Sequence, residues 1–214
     1  MKTGSTLSRK LGALAIGLVL FGATHVQADT LQSRQNVADL IEQAELIIRG
    51  DVVEVTDGIE NGVPFTQVKV HVKEAIRGSV GAEYTFRQFG LLAPRAMGNG
   101  LVNYNVNPAG WATYRQNEEV VLFLWPQARK TGLRTTVGLK HGKFGIKAGG
   151  AMNQGDNLGM FQDVEVDQSV LNDNDRRLLA TKKGPVNAES FVSFVRRAVK
   201  DQWIQRGKMR NAKK

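Results

Sequence analysis

The sequence predicts a mainly β fold with flanking helices: a small antiparallel barrel followed by a C-terminal helix. Three observations carry this reading. Thr66, Val68, Val70 and Val72 alternate with Gln67, Lys69, His71 and Lys73, the period-2 mark of a strand with one dry and one wet face. Residues 118–125 are apolar on both faces through Val120, Val121, Leu122, Phe123 and Leu124, as a central strand requires. Phe191, Phe194, Val195, Ala198 and Val199 recur at helical spacing.

Each element follows in order. Asn36 caps a short helix to about residue 44, with Val37, Leu40, Ile41 and Ala44 on one face and Asp39 in the first turn, where an acid suits the helix dipole. A strand over 46–55 follows, and Gly50 within it marks a bulge or bend. Asp57-Gly58 and Asn61-Gly62 mark the hairpin connection to a strand over 65–75, which stops at Arg77-Gly78. A third strand spans 84–89. Residues 90–117 show no sustained periodicity and contain Pro94, Gly98, Gly100, Pro108 and Gly110. Ordinary connections run about 4–6 residues, so a segment this long is functional, disordered or home to short elements.

Pro126 ends the apolar strand, and further strands are expected at 134–139 and 142–146. The glycine-rich 149–159 stretch reads as a linker or mobile loop, and 160–171 as an edge strand carrying Phe161, Val164 and Val166. Asn187 caps the C-terminal helix, Glu189 sits in its first turn, and Gly207 is its expected end. About five strands within 46–146 favour a barrel of OB type over a seven-strand sandwich.

The first 28 residues have the layout of a secretory signal: Lys2, Arg9 and Lys10, then an apolar run over 11–23, then Val26-Gln27-Ala28. That run is too short to span a bilayer, which favours a cleaved signal, and no later stretch is apolar enough to span, so no integral span is expected after cleavage. The expected organisation is a signal peptide over 1–28, a barrel domain with its short helix over 29–148, and a linker, edge strand and basic helix over 149–214. The expected location is periplasmic or secreted. The chain has no cysteine, which rules out thiol catalysis and zinc-thiolate sites in it. The net charge is +9, and removing the three signal cations leaves +6. Residues 196–214 hold eight basic residues against one acid, so the basicity belongs to the tail.

No catalytic constellation emerges. The mature serines lack a Gly-x-Ser-x-Gly context, Gly142-Lys143 lacks the rest of a phosphate loop, and Glu118 and Glu119 face opposite ways. His71 and His141 stand far apart without carboxylates at ligand spacing. Asp163, Glu165 and Asp167 share one strand face and read as edge protection rather than a calcium loop. No metal and no cofactor is expected, and the chain reads as a binding protein rather than an enzyme.

Two binding candidates remain. The 90–117 segment carries Arg95, Tyr104, Trp111 and Tyr114, residue types favoured as interface anchors. The competing reading has Trp111 and Tyr114 plugging one end of the barrel. The basic tail offers Arg196, Arg197, Lys200, Arg206, Lys208 and Arg210 to an anionic surface of lipid, lipopolysaccharide or nucleic acid, with Trp203 and Ile204 beside them. The competing reading is a helix docked on the barrel by its apolar face.

Three segments carry a family resemblance: 44–55 with the following strand to Arg77-Gly78, 114–124, and 138–144. Together they resemble a largely uncharacterised family of small secreted bacterial proteins, similar to a cysteine-free version of the OB barrel of tissue inhibitors of metalloproteinases and netrin-like modules. The resemblance covers roughly residues 36–147 and the C-terminal helix, and its motifs are structural. It departs from the family pattern at Asn117, where a glycine usually precedes the glutamate. Those inhibitors chelate the protease zinc through an N-terminal cysteine that this chain lacks. What the resemblance implies is a partner-binding barrel, associated with secreted proteases but not inhibiting them by that route.

Overall fold

The structure is a computed structural model and describes residues 35–213. The expected signal peptide lies outside the described residues.

Helix α1 (Val37–Gln43) opens on a capping box: the Asn36 side chain accepts from the Asp39 amide, and the Asp39 carboxylate accepts from the Asn36 amide. Strands β1 (Leu46–Glu60) and β2 (Val63–Arg77) form one long antiparallel hairpin turned at Asn61-Gly62. Asn61 and Gly62 both have positive φ, as a two-residue turn of this kind requires. Asp57-Gly58, expected in the connection, instead lies within β1. Strand β3 (Glu83–Phe89) pairs with β2. A small separate hairpin follows, β4 (Arg95–Met97) with β5 (Leu101–Asn103). Strand β6 (Glu119–Leu124) pairs with β1 on one side and β7 (Lys143–Lys147) on the other.

The expected strand at 134–139 does not form. Thr136 makes an isolated bridge to Leu124, and a 3-10 turn covers Leu139–Gly142. This stretch divides its backbone bonds between two strands: the Arg134 amide donates to the Arg87 carbonyl on β3 at 2.7 Å, while the Trp125 amide of the β6 end donates to Thr135 at 2.9 Å. The 149–159 stretch, expected as a linker, instead supplies β8 (Gly150–Asn153), paired with β7. Strand β9 (Val164–Val166), helix α2 (Asp173–Leu179), strand β10 (Val186–Asn187), helix α3 (Ala188–Lys200) and strand β11 (Met209–Asn211) complete the chain. Helix α3 stops at Lys200, before the expected Gly207, because the chain turns there to bury Trp203 and return as β11 against β9.

The main sheet has seven strands in the order β10-β8-β7-β6-β1-β2-β3. The expected closed barrel is not formed, because β3 and β10 end the sheet without pairing with each other. Both faces of the sheet are covered. On one face α1 and α3 pack over Ile47, Val121, Phe123 and Phe144, with the Phe191 ring 4.4 Å from that of Phe144. On the other, Ile48, Val52, Val68, Val70, Val120 and Leu122 enclose a second core that includes Ala112 and Tyr114.

The hairpin bends to serve both cores. Its register shifts at Arg49/Gly50 and again between Val52 and Glu54, the mark of bulges. At the Arg49/Gly50 shift β2 passes so close that a Cβ on Gly50 would lie 2.2 Å from the His71 carbonyl oxygen. Helix α3 is further held by ion pairs, with Arg196 forked onto Glu74 at 2.5 and 2.8 Å and Arg49 joining Glu119 at 2.8 Å to Glu189 at 2.7 Å.

Both the bulge and the ion pair can be tested. Gly50→Ala should cost about 2 kcal/mol, typical of forced overpacking, read as a lowered midpoint in urea. Arg196 holds the Glu74 carboxyl below its ordinary value, so the pair's contribution is present above that value and is lost as pH falls through the lowered one. Glu74→Gln should remove about 0.5 kcal/mol at neutral pH and make stability fall less steeply than wild type between about pH 5 and 3.

Candidate functional site

The 90–117 segment is fixed at both ends and free in the middle. At its start, Gly90 adopts φ 103°, and a Cβ there would lie 2.6 Å from the Asn107 Cα. The Thr66 hydroxyl donates to the Gly90 carbonyl at 2.7 Å. Leu91 is fully buried and exchanges backbone bonds with the returning chain: its amide donates to Asn105 and the Asn107 amide donates to its carbonyl, both at 2.8 Å. The buried Gln88 amide then ties the two ends together, donating to Asn107 Oδ1 at 3.1 Å and to the Ala112 carbonyl at 2.9 Å. Each bond satisfies a backbone or amide group that burial would otherwise leave unpaired.

The far end is held by charge. Lys143 is 3% exposed, and its ammonium donates to the Thr113 carbonyl at 2.6 Å, pairs with Glu118 at 2.6 Å and lies 5.1 Å from the Tyr114 ring. Burial pulls this ammonium below the ordinary lysine value, against the opposing pull of Glu118. Burial likewise pushes the Tyr114 phenol far above its usual range.

Between these roots the chain projects as the β4–β5 hairpin. Eight large hydrophobic residues are exposed among those described, and six of them lie here: Leu92, Met97, Leu101, Val102, Tyr104 and Val106. Leu101 is 66% exposed and Tyr104 72%. Between Gln88 and Tyr114 the only charged residue is Arg95, which is paired with Asp57. Asp57 also accepts the Leu92 amide at 2.8 Å and so fixes the base of the hairpin. The result is an apolar finger whose one charge is paired, on a fixed base, the type of patch that marks an interaction surface.

The structure separates the four anchors named from the sequence. Tyr104 stands on the finger. Arg95 braces its base. Trp111 is half-buried, its ring 6.5 Å from that of Phe89. Tyr114 lies in the second core, edge-on to Phe86 at 5.6 Å. Sequence reasoning passed over Leu92, Met97, Leu101, Val102 and Val106. The signal that points to them is the absence of charge across the segment, not its aromatic content.

The basic tail is largely neutralised. Arg196 pairs with Glu74, and Arg197 pairs with Asp175 while donating to the Val170 carbonyl at 3.1 Å. Lys208, Arg210 and Lys213 face Asp167, Glu165 and Asp163 across the β9–β11 ladder, at 3.8, 2.5 and 2.7 Å. The acid triplet on that strand face therefore meets the tail itself. Lys200 and Arg206 are exposed and have no acid partner among the described residues. Trp203 is 1% exposed against Phe194, which removes it from any membrane contact in this fold. No helix among the described residues is long and apolar enough to cross a membrane.

Lys143→Met should free the 113–118 stretch at a cost of about 2 kcal/mol, the loss of charge-assisted bonds, with hydrogen exchange accelerating at Ala112 to Glu118 before the main sheet opens. No family model, no curated protein and no solved structure matches this chain.

Proposed function

We propose that this chain is a non-enzymatic binding module of the periplasm or cell exterior that engages a protein partner through the 90–117 segment. One observation carries the reading: six exposed apolar side chains gathered on a hairpin whose one charge, Arg95, is paired with Asp57 and whose base is fixed by buried hydrogen bonds. A surface built from Leu, Val, Met and Tyr gains by burial against apolar protein surface and offers nothing to an anionic one. A rigid base also limits the conformational entropy lost on binding. The scaffold is read as an opened relative of an OB-like barrel. The 133–137 crossing supports this, since it hydrogen-bonds to both β3 and the end of β6.

The alternative reading, an anionic-surface binder acting through the tail, retains only Lys200 and Arg206 as unpaired cations among the six proposed from the sequence. It draws correspondingly less support.

The test places a photo-crosslinking residue at Tyr104 and, as a control, at Met152, which is exposed at 41% on a different strand. A specific protein adduct from envelope material is expected at Tyr104 and not at Met152. Leu101→Asn with Val102→Asn should abolish it, while stability changes by about 0.5 kcal/mol or less, as for other surface substitutions. Equal labelling at both positions, or an adduct that survives the double substitution, contradicts the reading.

A further inference from the structure

The tip of the finger joins an asparagine to a glycine. Gly98, Asn99 and Gly100 form the turn between β4 and β5, and all three are exposed. The Asn99 Oδ1 accepts the Leu101 amide at 3.1 Å, which folds the side-chain amide back over its own peptide bond to Gly100. Two groups there are unengaged: neither the Asn99 side-chain NH2 nor the Gly100 N–H donates a hydrogen bond among the described residues. A Cβ on Gly98 or Gly100 would meet nothing within 4 Å, so the turn stands clear of the rest of the chain.

These features suit one intramolecular reaction. The Gly100 nitrogen, its proton taken by solvent base, attacks Asn99 Cγ. An N–Cγ bond forms, the Cγ–Nδ2 bond breaks, and the side-chain nitrogen takes up a proton and leaves as ammonia. The five-membered imide then adds one water at either carbonyl. Opening at one gives aspartate. Opening at the other gives isoaspartate, with the backbone rerouted through the side chain. Both reacting groups belong to adjacent residues, so no encounter is needed. The Leu101 amide already donates to the oxygen on which negative charge develops. Glycine leaves the attacking nitrogen without a Cβ beside it. Water is the only co-reactant.

A second Asn-Gly pair gives an internal comparison. Asn61-Gly62 is also exposed, but it closes the β1–β2 hairpin, whose pairing runs inward from Glu60↔Val63 along two 15-residue strands. Asn61 is held there at φ 51°. Ring closure requires the asparagine backbone to leave its turn angles. At Asn61 that breaks the end of a long ladder, whereas the finger is held by three pairs, from Arg95↔Asn103 to Met97↔Leu101. The shorter hairpin opens more readily.

We propose that Asn99-Gly100 is a self-modification site, which converts to isoaspartate and aspartate and so places a carboxylate at the tip of the apolar finger. No cation is free to meet that charge within the segment: Arg95, the one charged residue between Gln88 and Tyr114, is paired with Asp57. The chemistry holds whether or not the finger docks. Where it docks, the new carboxylate opposes burial, because it must be stripped of water.

The test needs no partner. The full chain is purified, kept at physiological temperature and pH, and digested with trypsin at intervals. Mass spectrometry follows replacement of NH2 by OH in the fragments 96–115 and 50–69, each corrected for a digest at time zero, and fragmentation assigns the position and the isoaspartate share. Conversion at Asn99 is expected to be at least ~10-fold faster than at Asn61, with isoaspartate among the products. Gly100→Ala should slow it at least ~5-fold, since a Cβ crowds the attacking nitrogen. The aged chain and Asn99→Asp should both elute earlier than the fresh chain from a phenyl-bearing column, and Asn61→Asp, outside the apolar patch, should shift less. Conversion at Asn99 no faster than at Asn61, aspartate without isoaspartate, or an unchanged rate in Gly100→Ala overturns the proposed reaction. Equal column shifts for Asn99→Asp and Asn61→Asp overturn the placement of its charge in the apolar surface.

Discussion

A strand with no wet face imposes the rest of this architecture. Residues 120–124 of β6 carry apolar side chains in both directions: Val121 and Phe123 toward the helices, Val120, Leu122 and Leu124 away from them. Leaving either face in water would expose several large side chains, each worth about 1.5–3 kcal/mol when buried. One face is met by α1 and α3, whose Phe191 and Phe194 fill the space above the sheet. The other is met by the bent β1–β2 hairpin, by β3, and by two residues of the long segment, Ala112 and Tyr114. Gly50 permits this arrangement, because a hairpin of this length reaches both cores only by bending where its strands approach too closely for a side chain.

The second core also divides the long segment into two parts. Its C-terminal end is drawn in as a cover for β6, with Lys143 and Glu118 fastening it and Gln88 closing the neck. What remains, from Leu92 to Val106, has no core to enter and stands out as the β4–β5 finger. Buried and exposed parts are thus separated along one stretch of chain, with the transition near Asn107.

Much of the frame was legible in the sequence because it rests on local rules. Asn36 and Asn187 cap the helices expected of them, Asn61-Gly62 turns the hairpin, and the doubly apolar run from Val120 to Leu124 is central. The misses share a physical cause: they depend on partners far away in the chain. Residues 134–139 look like a strand, but the stretch splits its bonds between β3 and the β6 end. The glycines around β8 suggest a loop, yet pairing with β7 makes a strand of it. The tail reads as a basic helix until Asp163, Glu165 and Asp167, more than forty residues earlier, are brought against it. At the candidate site, aromatic content pointed away from the aliphatic residues that form most of the exposed surface. Tyr114 has a core to enter, whereas Leu101 and Val102 do not, and periodicity carries no information on which residues a distant strand will cover.

If the finger is a docking surface, it is exposed in the isolated protein and covered where the protein works. Hydroxyl-radical footprinting of the purified chain and of the same chain in the cells that make it measures this whatever the partner is. Met97, Leu101 and Tyr104 are expected to react readily when purified and to be protected in place, while Tyr114 and Trp203 stay unreactive in both. Equal reactivity of the finger in the two settings, or protection of Tyr104 in the purified protein, would contradict a docking role.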